Sequence, residues 1–444
     1  MKIKILLWSV VSILIIGMAA GAFWWLERPQ VVTFSDDSQV TLLKVDYGKH
    51  HVPPVVKASA PAPGTRAPVR RGGSFTTTND TLVLWFRQEY DTSGNQYHGF
   101  QYYAYDKAGT ACVIDSMTHY GNGGRRGNDV VGVEFAGFPR HQGKFYVRVE
   151  ENGNGGQEIP DQKFAISNPV RGPFATWTPE SLPATRDDDD VSVTLTKLVA
   201  GAPNTYNHND SDADDAINKA VQATLHVERN GKAVSNWQPV SVTTSDATGN
   251  QVRFTSSNNN WQNGDDVFTY QYGLWPDEPA WKIRFEFSQQ SDFADGELWT
   301  LQGIPLQPGR RQDFWNYNNR VARTNAAAVA ETDLNGVHLK LLSPKQFTDA
   351  SPNSNPQGGF FIQVEPPLPE GTRLTLVKLT DDQTNDIQHW DNTWNNNPNT
   401  TMYQCQMQDV IGATNINLTI AVHKSRFVEF TVKPEKAPAS DSAQ

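Results

Sequence analysis

The sequence predicts an all-β protein: tandem antiparallel β-sandwich domains of Ig-like or C2-like type behind one N-terminal transmembrane helix. Three observations predict it. An uncharged apolar run opens the chain, short β-branched or aromatic runs bounded by turn residues fill the rest, and local signatures recur in order.

The run Ile5–Leu26 holds 22 residues without a charge. At about 1.5 Å per residue it reaches roughly 33 Å, enough for the ~30 Å hydrocarbon core of a bilayer. Lys2 and Lys4 precede it, which puts the N-terminus in the cytoplasm and the bulk of the chain outside. Phe23, Trp24 and Trp25 suit the outer headgroup layer, and Glu27, Arg28 and Pro29 end the helix. The rival reading is a signal peptide cleaved near Ala22, after the small residues Ala20 and Gly21. Both readings export everything that follows.

Beyond the anchor, the runs Thr81–Arg87, Phe100–Tyr105, Ala111–Ile114, Val130–Phe135, Lys144–Glu150, Val191–Leu198, Ala223–Val227, Gln251–Thr255 and Lys282–Phe287 read as strands. Helical spacing is confined to Asp212–Val221 and Thr324–Thr332. Three signatures repeat. Val40-Thr41-Leu42-Leu43-Lys44-Val45 returns as Val193-Thr194-Leu195-Thr196-Lys197-Leu198 and as Leu374-Thr375-Leu376-Val377-Lys378-Leu379. Val147–Glu150 returns as Ile283–Glu286 and, more loosely, as Ile362–Glu365. The seven residues Trp177–Pro183 parallel Trp299–Pro305. Their shared order predicts a duplication.

The expected organisation is therefore a stub and anchor over 1–30 and a first sandwich over 31–170 carrying a basic Pro/Ala loop at 53–73. A linker follows at 171–190, then a second sandwich over 191–308. A third sandwich-like unit spans 325–433, and a disordered tail occupies 434–444. The loop holds Lys57, Arg66, Arg70 and Arg71 without an acid, so a flexible loop and a contact with anionic headgroups are both open readings.

Net charge is −10 for the whole chain; the first thirty residues carry +2, leaving −12 for the rest. That balance excludes nucleic acid as an expected partner. With only Cys112 and Cys405, there is no disulfide framework, and two buried free thiols are expected.

No nucleophile elbow, zinc-binding His-Glu-x-x-His, phosphate loop or dinucleotide fingerprint occurs. The metal candidate is the alternating set Asp210, Asp212 and Asp214, whose hard oxygens suit calcium, against the plainer reading of a solvated acidic loop. An EF-hand would need Gly at 215 and Glu at 221, where the chain has Asp215 and Val221. Asn-rich stretches surround Trp261, Trp315, Trp390 and Trp394, which reads either as core tryptophan beside turns or as a sugar-binding face. The leading expectation is an envelope protein that binds partners as scaffold or adhesin without catalysis. A carbohydrate- or calcium-binding surface and an envelope hydrolase with a dispersed site are the alternatives.

Overall fold

The computed structural model describes residues 30–34, 37–54, 74–89, 99–107, 111–112, 116–120, 128–152, 163–170, 172–203, 219–255, 265–271, 274–314, 328–351, 355–397 and 399–437. The apolar run Ile5–Leu26, the loop from 55 to 73 and the candidate ligands Asp210, Asp212 and Asp214 lie outside these residues. Among the described residues no helix is long and apolar enough to cross a membrane.

The described residues are almost entirely antiparallel β and β-sandwich-like. The first module holds β1 (Val31–Thr33), β2 (Gln39–His51), β3 (Phe75–Glu89), β4 (Gly99–Tyr105), β5 (Ala111–Cys112), β6 (Ser116–Tyr120), β7 (Asn128–Phe135), β8 (Lys144–Asn152) and β9 (Lys163–Ser167). One sheet has the order β1-β2-β3-β7-β6, the other β5-β4-β8-β9. Leu82, Leu84 and Phe86 from β3 meet Phe145, Val147 and Val149 from β8 by period-two alternation, all buried. Phe86 stacks on Tyr102 of the facing sheet at 4.6 Å between ring centres. On the outer side of β3, Trp85 lies on Gly132, where a Cβ would come within 2.9 Å of its ring.

The second module uses β10 (Ala184–Asp188), β11 (Val191–Pro203), β12 (Lys219–Arg229), β13 (Lys232–Ala233), β14 (Trp237–Asp246), β15 (Gln251–Thr255), β16 (Asp265–Gln271) and β17 (Trp281–Gln289). The third contains β18 (Leu298–Pro305), β19 (Gln307–Gly309), β20 (Ala328–Leu334), β21 (Val337–Phe347), β22 (Gly358–Glu365), β23 (Thr372–Asp381), β24 (His389–Asn397), β25 (Thr400–Met407) and β26 (Asn415–Lys424). Two strands remain, β27 (Arg426–Val432) and β28 (Glu435–Lys436), and they do not belong with their sequence neighbours.

The strand orders expose an exchange. In the first module β9 follows β8 and pairs with it. In the second, the corresponding edge of β17 is taken by β27, which arrives only after the whole third module. The chain leaving β17 instead supplies β18, which pairs with β26 in the third module. The add-on strands follow suit: β28 runs parallel to β11, and β19 runs parallel to β21. Each module is thus closed by a strand that the chain places next to the other.

Several expectations change. The third unit does not end at 433, since 426–436 completes the second module's sheets; nor does the second end at 308, since 298–309 completes the third. The linker 171–190 ends in a strand, β10. Its middle is bound too: Glu180 donates its N–H to Thr431 O at 2.8 Å. In the tail, Glu435 and Lys436 pair with Val199 and Ala200. The two helical spans contain strands where they are described, because Ala328–Leu334 alternates in burial and Ala220 and Val221 pair with Gln271 and Tyr270 in a sheet. Cys405 is a buried free thiol in β25, while Cys112 lies in β5 of the first module.

The repeated signatures divide. Val40–Val45 and Val193–Leu198 occupy matching strands, β2 and β11, as Val147–Glu150 and Ile283–Glu286 do in β8 and β17. All three Thr-Leu-x-Lys copies share a β-bulge, between Leu42 and Lys44, Leu195 and Lys197, and Leu376 and Lys378. The Trp-Thr pair is not equivalent: Trp177 lies in the strap before β10, and Trp299 is inside β18.

Candidate functional site

Charged side chains become buried at two junctions between modules. Between the first and second, the turn joining β14 to β15 is built on Asp246, whose Oδ1 accepts from the N–H and hydroxyl of Thr248 at 2.9 and 2.6 Å and from Asn250 N at 3.1 Å. Gly249 takes φ of 94°, a left-handed value that suits glycine. Arg140 of the first module clasps this turn, its Nε donating to Asn250 Oδ1 at 2.9 Å and its Nη1 to Thr248 O at 3.0 Å. Asn250 in turn donates to Phe138 O at 3.0 Å. An Asp-x-x-x-Asn turn recurs at Asp381–Asn385, where it stays at the surface.

Beside the clasp sits Glu278, 6 % exposed, with its Oε2 3.1 Å from His141 Nε2. Burial first, and the negative charge of Asp246 second, push the Glu278 carboxyl up to about 7, against the opposing pull of His141. A carboxyl raised in the folded state stabilises least where it must ionise, so this junction is firmest below about pH 4.5 and weakens as pH rises to about 7. Glu278→Gln is expected to flatten that pH dependence and raise the melting temperature at pH 8 by roughly 3–8 °C. Thermal melts of both proteins from pH 4.5 to 8 check it; an unchanged slope would count against the assignment.

Between the second and third modules, Arg373 of β23 makes two hydrogen bonds to Glu286 of β17, at 2.7 and 2.8 Å. Arg253 approaches the same carboxylate at 3.8 Å. Burial alone would raise the Glu286 carboxyl, but the hydrogen bonds and charge of Arg373, with Ser425 and Arg253, hold it below its usual range. Arg284 lies over the Phe427 ring at 4.2 Å and pairs with Glu370 at 2.8 Å.

The acidic run Asp187–Asp190 is ion-paired and hydrogen-bonded: Asp190 meets Arg229 at 2.5 Å, Asp189 meets Arg426 at 2.8 Å, and Asp188 accepts from Phe427 N at 2.7 Å. It fastens the returning strand β27, a role its sequence could not disclose. His50 is exposed and His51 buried, as alternation along β2 requires. Among the described residues no group of three or more His, Cys, Asp or Glu is placed to hold a metal.

Tryptophan splits in the same way. Trp85, Trp237, Trp275, Trp281 and Trp299 are buried, whereas Trp390 is 41 % exposed on β24. Trp261 and Trp315 lie outside the described residues. The sheet order β19-β21-β22-β25-β24 makes β24 an edge among the described strands. Burial of Cys405, together with the negative charge of Asp391 on that edge, pushes the thiol well above its usual range. Compared with known proteins, the chain matches no family model and shows no significant similarity to any curated protein.

Proposed function

We propose that this chain is a membrane-tethered, extracytoplasmic array of Ig-like or C2-like β-sandwich domains that displays binding surfaces at the cell envelope and performs no chemistry itself. One observation carries the reading: the buried residues Arg140, Asp246 and Glu286, with the half-buried Arg373, join module to module, which suits a stiff spacer that holds surfaces in fixed relation. The apolar run Ile5–Leu26, preceded by Lys2 and Lys4, supports the tether and its orientation. A carbohydrate-binding surface is the second reading, favoured by the exposure of Trp390.

The tether is tested by protease added outside intact cells, with mass spectrometry of the N-terminus. Digestion of residues 31–444 with Met1 or Lys2 retained is the expected result. A mature N-terminus at Phe23 would replace tether by secretion, and full protection of the modules would sink the export reading.

A further inference from the structure

We propose that the crossing between the second and third modules is an acid-operated hinge with His423 as its trigger, while the crossing between the first and second stays shut. Two stretches of chain make the hinged crossing: residues 290–297 between β17 and β18, and Ser425 alone between β26 and β27. The buried apolar residues of the first and second modules form one continuous core, and among the described residues none of 298–424 belongs to it. The third module has its own clusters, one around Leu339, Ile362 and Ile420, the other around Phe314, Phe361 and Met402. Relative motion is the default between modules that do not share a large apolar interface.

Charge and hydrogen bonding close this crossing. Arg373 reaches across it to Glu286, and Ser425 donates its N–H to Gly371 O at 2.8 Å. Gly371 lies so near Phe427 that a Cβ there would come within 2.7 Å of the ring. His423 stands directly opposite Arg373 in the ladder of β23 and β26, so both side chains share one face of that sheet. Its ring is 1 % exposed, lies 4.9 Å between centres from the ring of Phe293 in the crossing segment, and has its Nε2 3.0 Å from the Thr375 hydroxyl. A proton on this ring puts a second cation beside Arg373 in a site closed to water, and like charges opposite one another on a ladder destabilise it.

The groups around the ring set the direction. Burial first, with the charge of Arg373 added to it, holds the His423 imidazole below its ordinary value of 6.5, while Glu297 of the crossing segment, the Lys424 backbone and Glu286 of β17 pull the other way. The Lys424 ammonium is occupied by Thr372 Oγ1 at 2.7 Å. A base lowered in the folded state contributes stability that is complete above 6.5 and is lost as pH falls from there toward the lowered value. Glu286 adds its own loss in stronger acid, below about 4.5. The crossing at Glu278 has the opposite sign, so acid that loosens one firms the other. At neutral pH the array is stiff, and in mild acid the third module turns about Ser425 and residues 290–297 with its own core intact.

Amide exchange on the full-length protein in detergent micelles tests the hinge independently of the tether. Corrected for intrinsic rates, protection at 290–297 and 423–427 is expected to fall by up to about tenfold between pH 7.5 and pH 5.5, the limit for one proton taken up over one pH unit below 6.5. Residues 136–143 and 246–250 of the other crossing should keep their protection, as should 337–342 and 360–364 in the third module's core. His423→Gln, which keeps a partner for Thr375, and His423→Phe, which keeps a ring against Phe293, should both abolish the fall. Glu297→Gln leaves the buried ring in place but removes an anion that favours its charged form, so the fall should move to lower pH. No fall in the parent, a fall shared by the other crossing or by the third module's core, a fall that survives both His423 variants, or one that Glu297→Gln leaves where it was would overturn the proposal.

Discussion

A chain ending at Lys424 is expected to lose the folded second module although it keeps every residue from Ala184 to Gln289. The deletion removes β27, which covers one edge of β17 along seven paired residues, Trp281–Phe287 against Arg426–Val432. It also removes Val428, Phe430 and Val432 from the core. Three such side chains contribute roughly 5–9 kcal/mol together, comparable with the ~5–15 kcal/mol that holds a whole domain. The third module keeps all its own strands from β18 to β26 and should remain folded. Amide exchange on the truncated protein reads both outcomes, with residues 184–289 losing protection and 298–424 keeping it. A synthetic 426–436 peptide should restore protection in trans. Retained protection of β17 after truncation would mean that the exchange contributes nothing.

Arg373→Leu is expected to destabilise the junction of the second and third modules by about 3 kcal/mol, the low end for breaking one side of a buried pair. The loss is large because Glu286, only 5 % exposed, would be left charged, with Ser425 and an Arg253 guanidinium 3.8 Å away in place of the two-bonded Arg373. It is not larger because Arg373 is itself partly open to solvent. The pH dependence carries the diagnostic sign. A carboxyl lowered in the folded state stabilises above its ordinary value near 4.5, and that stability is lost as pH falls through the lowered one. Arg373→Leu should therefore differ most from the parent near pH 7 and converge with it in acid. Denaturant titrations at pH 7 and pH 3 measure both; an equal loss at the two values would mean that packing, rather than charge, dominates.

Local structure was legible in the sequence where alternation was strong. Lys282–Phe287 and Lys144–Glu150 are strands because every second side chain is apolar, and the Thr-Leu-x-Lys repeat even marked a shared bulge. Which strand completes which sheet was not legible. Nothing in Arg426–Val432 distinguishes pairing with β26, two residues before it, from pairing with β17, well over a hundred residues away; only three-dimensional register decides. The Trp-Thr match misled for the same reason, since Trp177 and Trp299 share neighbours in sequence and nothing in space. The junction residues Arg140, Asp246 and Glu278 were missed because they gain meaning only when two modules meet. The Asn-rich segment around Trp390 was visible, while the exposure of that ring was not, since a tryptophan beside Asn-rich turns reads the same whether it is buried or open.

The strand exchange also dictates a timetable for biogenesis. The first module can close once Ser167 has emerged, but the second cannot close until Val432 has, after 298–424 has been made. At roughly 5–20 residues per second, synthesis between β17 and β27 takes about 7–27 s. Throughout that interval the edge of β17 stands open with apolar Ile283, Phe285 and Phe287 uncovered, a surface prone to pair with the wrong strand. The finished protein hides this liability, and the cell meets it only during manufacture.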